Sequence, residues 1–443
     1  MFAASLKIFR RSLPETIPCR KEAAKNRRRF SKMKKTLSVV LALLMVLAAI
    51  PAFAAPVEID YWSVFTGADG ATMQGMVDEF NASQNEVHVN HTPMTADDLY
   101  QKIPMTVQTG AGVPDVTIVH IERIPNFVSQ EMLYSYDMDL IAQAGVKEEN
   151  YNSAAWARTD IDGEHYGIPL DVHSYVTYYN KDLFDKYDLN SYVEDGYLTF
   201  DEIKELGDKA RAAGWEGDIF NLGWMRAQLL GYYGQLKEDM ALTSDGTAPA
   251  INNPEMKKVF ETMKDLFEGG YTTIKNTDYS SKFYGGELLV WTEGIWMKAA
   301  VVDAGINFGM LPGVCFDASN AKSWTSSHNF VQFADENRTE EEDLAVAKFI
   351  NWMGEHSLTW AKDAGQCPAH LSINDVADFK DMPQAFLADP ERADELAIYY
   401  YQYWGLFDTA FSRVGWDFVD GTISIDDALA QIDTEIADAI AAQ

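Results

Sequence analysis

The stretch VEIDYWSVFTGADGATMQGMVDEFN, residues 57–81, changes its period halfway along. Val57, Ile59 and Tyr61 alternate as in a strand with one buried face, whereas Met73, Met76, Val77 and Phe80 recur at helical spacing. Between them Trp62, Phe65, Thr66, Gly67 and Gly70 form an aromatic turn whose glycines permit close approach. EVHVNH (86–91) returns to period two, and TADD (95–98) fits a capping box ahead of Leu99, Ile103 and Val107. PDVTIVHI (114–121) is a short, nearly continuous apolar run, as in a buried parallel strand. The order β-α-β-α-β predicts an α/β protein with a parallel sheet covered by helices on both faces. Ligands on such sheets bind outside the carboxyl ends of the strands, which is where the aromatic turn lies.

The rest of the chain continues the alternation. EHYGIPLDVHSYVTYYN (164–180) is strand-like and aromatic. TFDEIKELGDKARAAG (199–214) opens on Thr199 with Glu202 three residues on, the spacing of a capping box. NPEMKKVFETMKDLFEGG (253–270) carries Val259, Phe260, Met263, Leu266 and Phe267 on one face and stops at two glycines. Residues 339–357 and 424–440 read as two further capped amphipathic helices. No Pro-, Gly- or Ser-rich linker interrupts the pattern. Two lobes connected by more than one crossing fit it, and so does one large α/β enzyme.

The N-terminus is of another kind. Residues 36–50 are an apolar run preceded by Lys34 and Lys35 and followed by Ala52-Phe53-Ala54, the small-x-small pattern of a signal peptidase site. Residues 1–54 are therefore expected to be a secretory signal peptide. The stretch from Met33, MKKTLSVV, is itself a complete signal start, so 1–32 reads as an over-extended start. No Cys follows the apolar run, so no lipidation site is expected at the cut, and the protein is expected in the periplasm or at the cell surface. Removing residues 1–54 takes away twelve Lys and Arg and two Asp and Glu, leaving 24 basic against 65 acidic residues, a formal net charge of −41. Such a charge argues against nucleic-acid partners and anionic lipid surfaces and favours a neutral or cationic ligand. Cys315 and Cys367 alone remain after the cut, and export leaves open whether they pair.

Catalytic and metal signatures are missing. HIER (120–123) contains H-x-E without the C-x-x-C that a zinc deaminase needs. His88 and His91 fall on opposite faces of one strand and read as surface residues. There is no H-E-x-x-H, G-x-S-x-G or Walker A motif, and TGAGVPD (109–115) reads as a helix-ending turn. No catalytic residue, metal site or cofactor is expected. Aromatic residues stand out instead: Trp62, Trp156, Tyr175, Trp224, Trp291, Trp296, Trp324, Tyr403 and Trp404 fall at strand ends or in loops among polar groups. Flat rings beside hydrogen-bonding rims suit the apolar faces and hydroxyl edges of sugars.

At this point the sequence resembles the extracellular solute-binding proteins of bacterial sugar ABC importers, the family that includes maltose-binding protein. The carriers are IDYWSVFTGADGATMQGMVDEFN, GAGVPDVTIVHIERIPNFVSQEMLYSYD, GIPLDVHSYVTYYNKDLF, GELLVWTEGIWMKAA and INFGMLPG, in that order. The resemblance implies a two-lobe periplasmic-binding-protein fold, with crossovers near 169–173, 307–312 and 354–358. Lobe one would comprise 55–170 plus 308–355, and lobe two 171–307 plus 356–443. It implies a monomer that closes on a sugar and delivers it to a membrane permease, without a cofactor. As ligand contacts it implies the loop bearing Trp62, Phe65, Thr66 and Gly67; Glu122 and Arg123; Asp171 and His173 at the first crossover; Trp224 and Gln228; Glu293 and Trp296; and Tyr403 and Trp404. A His at position 173 departs from the family pattern. Two rivals stay open: a secreted carbohydrate-active enzyme with a carboxylate pair in the same cleft, and the same fold binding a polyamine or other small solute.

Overall fold

The computed structural model describes residues 55–442 apart from 245–247, 274–277 and 400–402; the expected signal segment 1–54 lies outside the described residues. The opening unit forms as its periodicity requires. β1 (Val57–Ser63) runs into α1 (Ala68–Ser83), then come β2 (Val87–Pro93), α2 (Ala96–Thr109) and β3 (Val116–His120). β1 pairs in parallel with both β2 and β3. Thr95 caps α2 by accepting from the Asp98 amide, and Gly110 closes the helix at φ 61°. Between β1 and α1, the Asp69 carboxylate accepts from the amides of Gly67 and Gly70 at 3.0 and 2.7 Å.

This first sheet is mixed rather than purely parallel. Its order is β2-β1-β3-β12-β4, where β4 is Leu133–Tyr134 and β12 is His328–Phe333. β12 runs antiparallel to β3, with His328 opposite His120, and also pairs with β7 (Ile168–Pro169). A small hairpin of β5 (Asp160–Ile161) and β6 (Glu164–His165) precedes β7. The later helix α6 (Glu340–Glu355) covers one face. There Phe349 meets Tyr61, Phe80 and Phe330 at ring separations of 5.2–6.0 Å. All four rings are buried, and each contributes about 1.5–3 kcal/mol by leaving water.

The second sheet is built on one strand. β8 (Asp171–Asn180) pairs antiparallel with β9 (Val290–Gly294), β10 (Phe308–Leu311), β11 (Ser323–Ser326) and β13 (Cys367–Pro368), while β14 (Leu396–Ile398) lies parallel to β11. Val172, Val176 and Tyr178 join the apolar cluster that includes the first sheet, and Tyr175 points into the other one. That other cluster is filled by α3 (Phe200–Ala212), α4 (Met225–Leu236), α5 (Pro254–Glu268), α7 (Trp404–Val414) and α8 (Ile425–Ala441). Thr199 with Glu202, and Thr339 with Glu342, form reciprocal capping boxes.

The strand pairing corrects one expected boundary. The expectation places 308–355 in lobe one, with a crossover near 307–312. Phe308–Leu311 instead bonds to residues 177–180 of β8, and Thr325 and Ser326 pair with Ser174 and His173. The chain returns to the first sheet only at Ser327, the single residue between β11 and β12. A single residue, Leu170, likewise separates β7 from β8, and its amide donates to the His328 carbonyl at 2.8 Å. Cys315 and Cys367 are buried free thiols. His91, expected at the surface, is half-buried, stacked on Tyr61 and hydrogen-bonded to Ser63 and Gln74.

Gly70 is required where it stands, because a Cβ there would lie 2.6 Å from the Phe65 carbonyl oxygen. Gly70→Ala is expected to cost about 1–3 kcal/mol by overpacking against backbone that cannot swing away. Gly75→Ala on the same helix meets nothing within 4 Å and is expected to stabilise by about 0.5–1 kcal/mol. Thermal melts of the two variants should move in opposite directions.

Candidate functional site

A cleft of about 390 Å³ opens where the strand ends of the two sheets face each other. From the first sheet it is lined by Val64 and Phe65 of the β1–α1 turn, by Asp69 in the first turn of α1, by Ala96, Asp97 and Tyr100 of α2, and by His120, Glu122 and Arg123 at or just beyond the end of β3. Across from them stand His173 of β8, Trp296 just beyond β9 and Trp324 of β11, with Trp224, Arg226, His328, Gln366 and Asp408 completing the wall. This is the carboxyl-end location that a β-α-β unit dictates.

Of the fourteen residues expected at a ligand site, the structure brings six to this cleft: Phe65, Glu122, Arg123, His173, Trp224 and Trp296. The other eight do not line it, each for a local reason. Trp62 is buried beneath the turn, with the Lys102 ammonium 3.8 Å over its ring. Thr66 and Gly67 face solvent on the outer side of the same turn. Asp171 is wholly buried below the floor. The Gln228 amide is consumed by its own helix start, accepting from the Gly223 amide and donating to the Asn221 carbonyl and the Tyr232 hydroxyl. Glu293 turns back to accept from the Gly294 amide at 2.9 Å. Trp404 is a core residue next to Tyr399, and half-buried Tyr403 precedes it at the head of α7.

Arg226 organises the cleft's charge and was missed. It is 4% exposed, and its guanidinium lies 4.0 Å from the Trp224 ring centroid, with Trp404 and Trp324 at 4.9 and 5.1 Å. It pairs with Asp408 at 3.1 Å and Glu122 at 3.7 Å. Burial lowers its pKa, and those two carboxylates oppose the shift. Glu122 also accepts from the Ser326 hydroxyl at 2.6 Å, so its ionic partner is Arg226 rather than the neighbouring Arg123. Arg123 instead lies over the Tyr100 ring at 4.8 Å. No sequence pattern marks Arg226, Asp408 or Tyr100. Only Trp324, an aromatic at a strand position, carried a readable signal.

The floor is a cluster of imidazoles. His120, His173 and His328 each offer a ring nitrogen within 4.8 Å of those of the other two. Asp171 holds two of these rings from below: it accepts from His173 Nδ1 at 3.0 Å, from His328 Nδ1 at 2.9 Å and from the Trp360 indole at 2.8 Å. Burial pushes the Asp171 carboxyl up, but the two imidazoles outweigh it and hold the group well below the usual carboxylate range. Burial drives His120 well below, and His173 below, the ordinary imidazole value.

Comparison with known proteins follows the same lines. A model of the bacterial extracellular solute-binding proteins matches residues 75–387. The chain is similar, at 26% identity over 249 residues, to a maltooligosaccharide ABC transporter solute-binding lipoprotein of Streptococcus pneumoniae. That match covers 52% of this chain and 54% of the relative, so the chain spans about half of that relative's length. Similarity to the maltodextrin-binding protein MdxE of Bacillus subtilis is 22% over 374 residues, 78% of this chain and 83% of that one. Among solved structures, a cyclic α-maltosyl-1,6-maltose binding protein from Arthrobacter globiformis superposes with a TM-score of 0.69 at 21% identity, covering 88% of this chain and 100% of that chain. The fold is therefore the two-lobe α/β arrangement of that class.

Glu293, turned back behind the cleft wall, carries a pH signature. Burial pushes its carboxyl from 4.5 up to about 7, against the lowering effect of its bonds to Gly294 and Tyr175. Ionising it in the folded protein therefore costs stability: the cost is absent below about pH 4.5 and is complete once pH has passed about 7. Glu293→Gln is expected to melt close to the parent at pH 4.5 and above it at pH 8, by at most about 3 kcal/mol. Equal melting differences at both pH values would show that Glu293 ionises freely.

Proposed function

This chain belongs to the bacterial extracellular solute-binding proteins, and on that premise we propose that it is the substrate-binding component of an ABC importer for a sugar or oligosaccharide. One observation carries the reading: a single cleft combines indole surfaces, Trp224, Trp296 and Trp324, with the hydrogen-bonding rim of Glu122, Arg123, Asp408 and Gln366. Sugars present apolar C–H faces to such rings and pairs of hydroxyls to carboxylates, amides and guanidinium forks. The names of the relatives, which describe binding proteins for maltooligosaccharide and maltodextrin, support the ligand class.

In this reading the ligand gains contacts from both sheets only when the cleft narrows. Glu122 and Arg123 approach from the first, and Trp296 and Trp324 from the second. The difference in affinity between wide and narrow forms is what shifts the population. The narrowed monomer then presents itself to a membrane permease and releases the sugar unaltered. Export follows from the extracellular character of the family; among the described residues no helix is long and apolar enough to cross a membrane. Phe65 and His173 form the inner end of the slot, and Trp224, which is 40% exposed, its outer lip.

Calorimetric titration against mono- and oligosaccharides, with spermidine as a cationic control, is expected to give one saturable sugar site. Incubation with that sugar is expected to leave it chemically intact, and loss of sugar would favour an enzyme. Trp296→Ala should weaken the bound sugar more than tenfold, upwards of about 1.4 kcal/mol, by removing one stacking wall. An unaltered affinity in that variant would mean the sugar does not rest against this face.

A further inference from the structure

We propose that His120, His173 and His328 form a binding site for one divalent transition-metal ion of the zinc type at the floor of the cleft. A nitrogen of each ring lies within 4.8 Å of those of the other two, and all three side chains line the cleft wall. Their backbones are held independently. His120 and His328 face each other across the β3–β12 pairing, and His173 lies opposite Ser326 on β11, two residues before His328.

The surroundings of the cluster are those of a metal site. In each ring Nδ1 is already engaged: by Asp171 for His173 and His328, and by the Tyr100 hydroxyl at 2.6 Å for His120. Where a neutral ring donates its Nδ1 proton to Asp171, Nε2 keeps its lone pair; the Tyr100 oxygen, which accepts from the His120 backbone amide at 3.0 Å, can accept from its Nδ1 as well. A carboxylate or hydroxyl behind the imidazole is what orients metal-bound histidines and raises their basicity. Asp171 also supplies one negative charge beneath the three rings, which suits a cation and disfavours an anion. Imidazole donors select zinc, copper, nickel or cobalt over magnesium or calcium.

Three nitrogens on one tetrahedral zinc, at about 2.0–2.1 Å each, sit roughly 3.4 Å apart. A pair of nitrogens near the 4.8 Å limit therefore has to draw in by about an ångström. Because His120 belongs to the first sheet and His173 to the second, that contraction acts in the direction that narrows the cleft. The fourth position faces the cleft and is open to water or to a hydroxyl of a bound solute, as in sites with three protein ligands.

The site is tested without any sugar, so the test stands apart from the transport reading. Untagged protein is freed of metal by chelator, then titrated with ZnCl₂ by calorimetry and with CoCl₂ by visible absorption. The expected result is one equivalent bound in the micromolar range or tighter, a cobalt spectrum of tetrahedral type, and a raised melting temperature. His120→Ala and His328→Ala should each abolish the cobalt bands. Tyr100→Phe should weaken zinc about tenfold and shift those bands, since it removes the group that orients His120. His88→Ala, at an exposed position of β2, should change nothing. Absence of saturable one-to-one uptake by the wild-type protein overturns the proposal, whether or not the variants fold. So does uptake that survives both histidine substitutions.

Discussion

A single buried carboxylate holds the two sheets in register. Asp171 starts β8, and its partners come from three separate parts of the chain: His173 on its own strand, His328 at the start of β12, and Trp360 in the turn that follows α6. Its oxygens also accept from the His328 backbone amide at 3.2 Å. A charge this deep survives only when its hydrogen-bonding capacity is filled, and losing one partner leaves an uncompensated ion at a cost of several kcal/mol. The consequence is spatial. First sheet, second sheet and the Trp360 turn must meet at one point, and that point is the cleft floor. Phe65 is drawn in as well, its ring edge-on to His328 and to Trp360 at 4.8 Å each.

Above that floor the cleft is organised by Arg226. Its guanidinium is stacked among Trp224, Trp324 and Trp404 and paired with Glu122 and Asp408. Trp224 and Trp324 therefore do two jobs at once, offering surface to the cleft and shielding a buried cation, while Trp404 shields it from the core side. Planar, always-charged Arg can serve as such a core where Lys could not. The result is a rigid polar rim in which Glu122 is fixed from two sides, by Arg226 and by Ser326.

The fold was legible because each half of it is written in local periodicity. The β1–α1 turn, the turn at Gly110, the capping box at Thr199 and the helix cap at Thr339 form where residue spacing puts them, whereas at Thr95 only the Thr95–Asp98 half of the expected box forms. Strand partnership is not local and leaves no mark in a short stretch of sequence. Nothing within residues 308–311 says that β10 lies along the far end of β8 rather than in the first sheet. The site was half legible for a similar reason. Aromatics at strand ends, and the Glu122–Arg123 pair, announce themselves by type. Arg226 sits between two expected contacts, Trp224 and Gln228. Which of the three faces the cleft depends on how α4 begins, and there the Gln228 amide turns back onto residues 221–223. His120 and His328 meet only because antiparallel pairing sets them opposite each other. Their separation in sequence carries no motif.

The two single-residue passages at Leu170 and Ser327 have a mechanical meaning. They lie side by side, stitched by the Leu170 amide to the His328 carbonyl, and β13 is tied to the same place through the Ala369 amide and the Leu170 carbonyl at 3.0 Å. One residue is too short to act as a slack tether. Rotation of one half against the other has to be taken up as torsion along a hydrogen-bonded ribbon, the way a leaf spring bends. Such a flexure stores elastic energy as it turns, so it returns to a preferred angle.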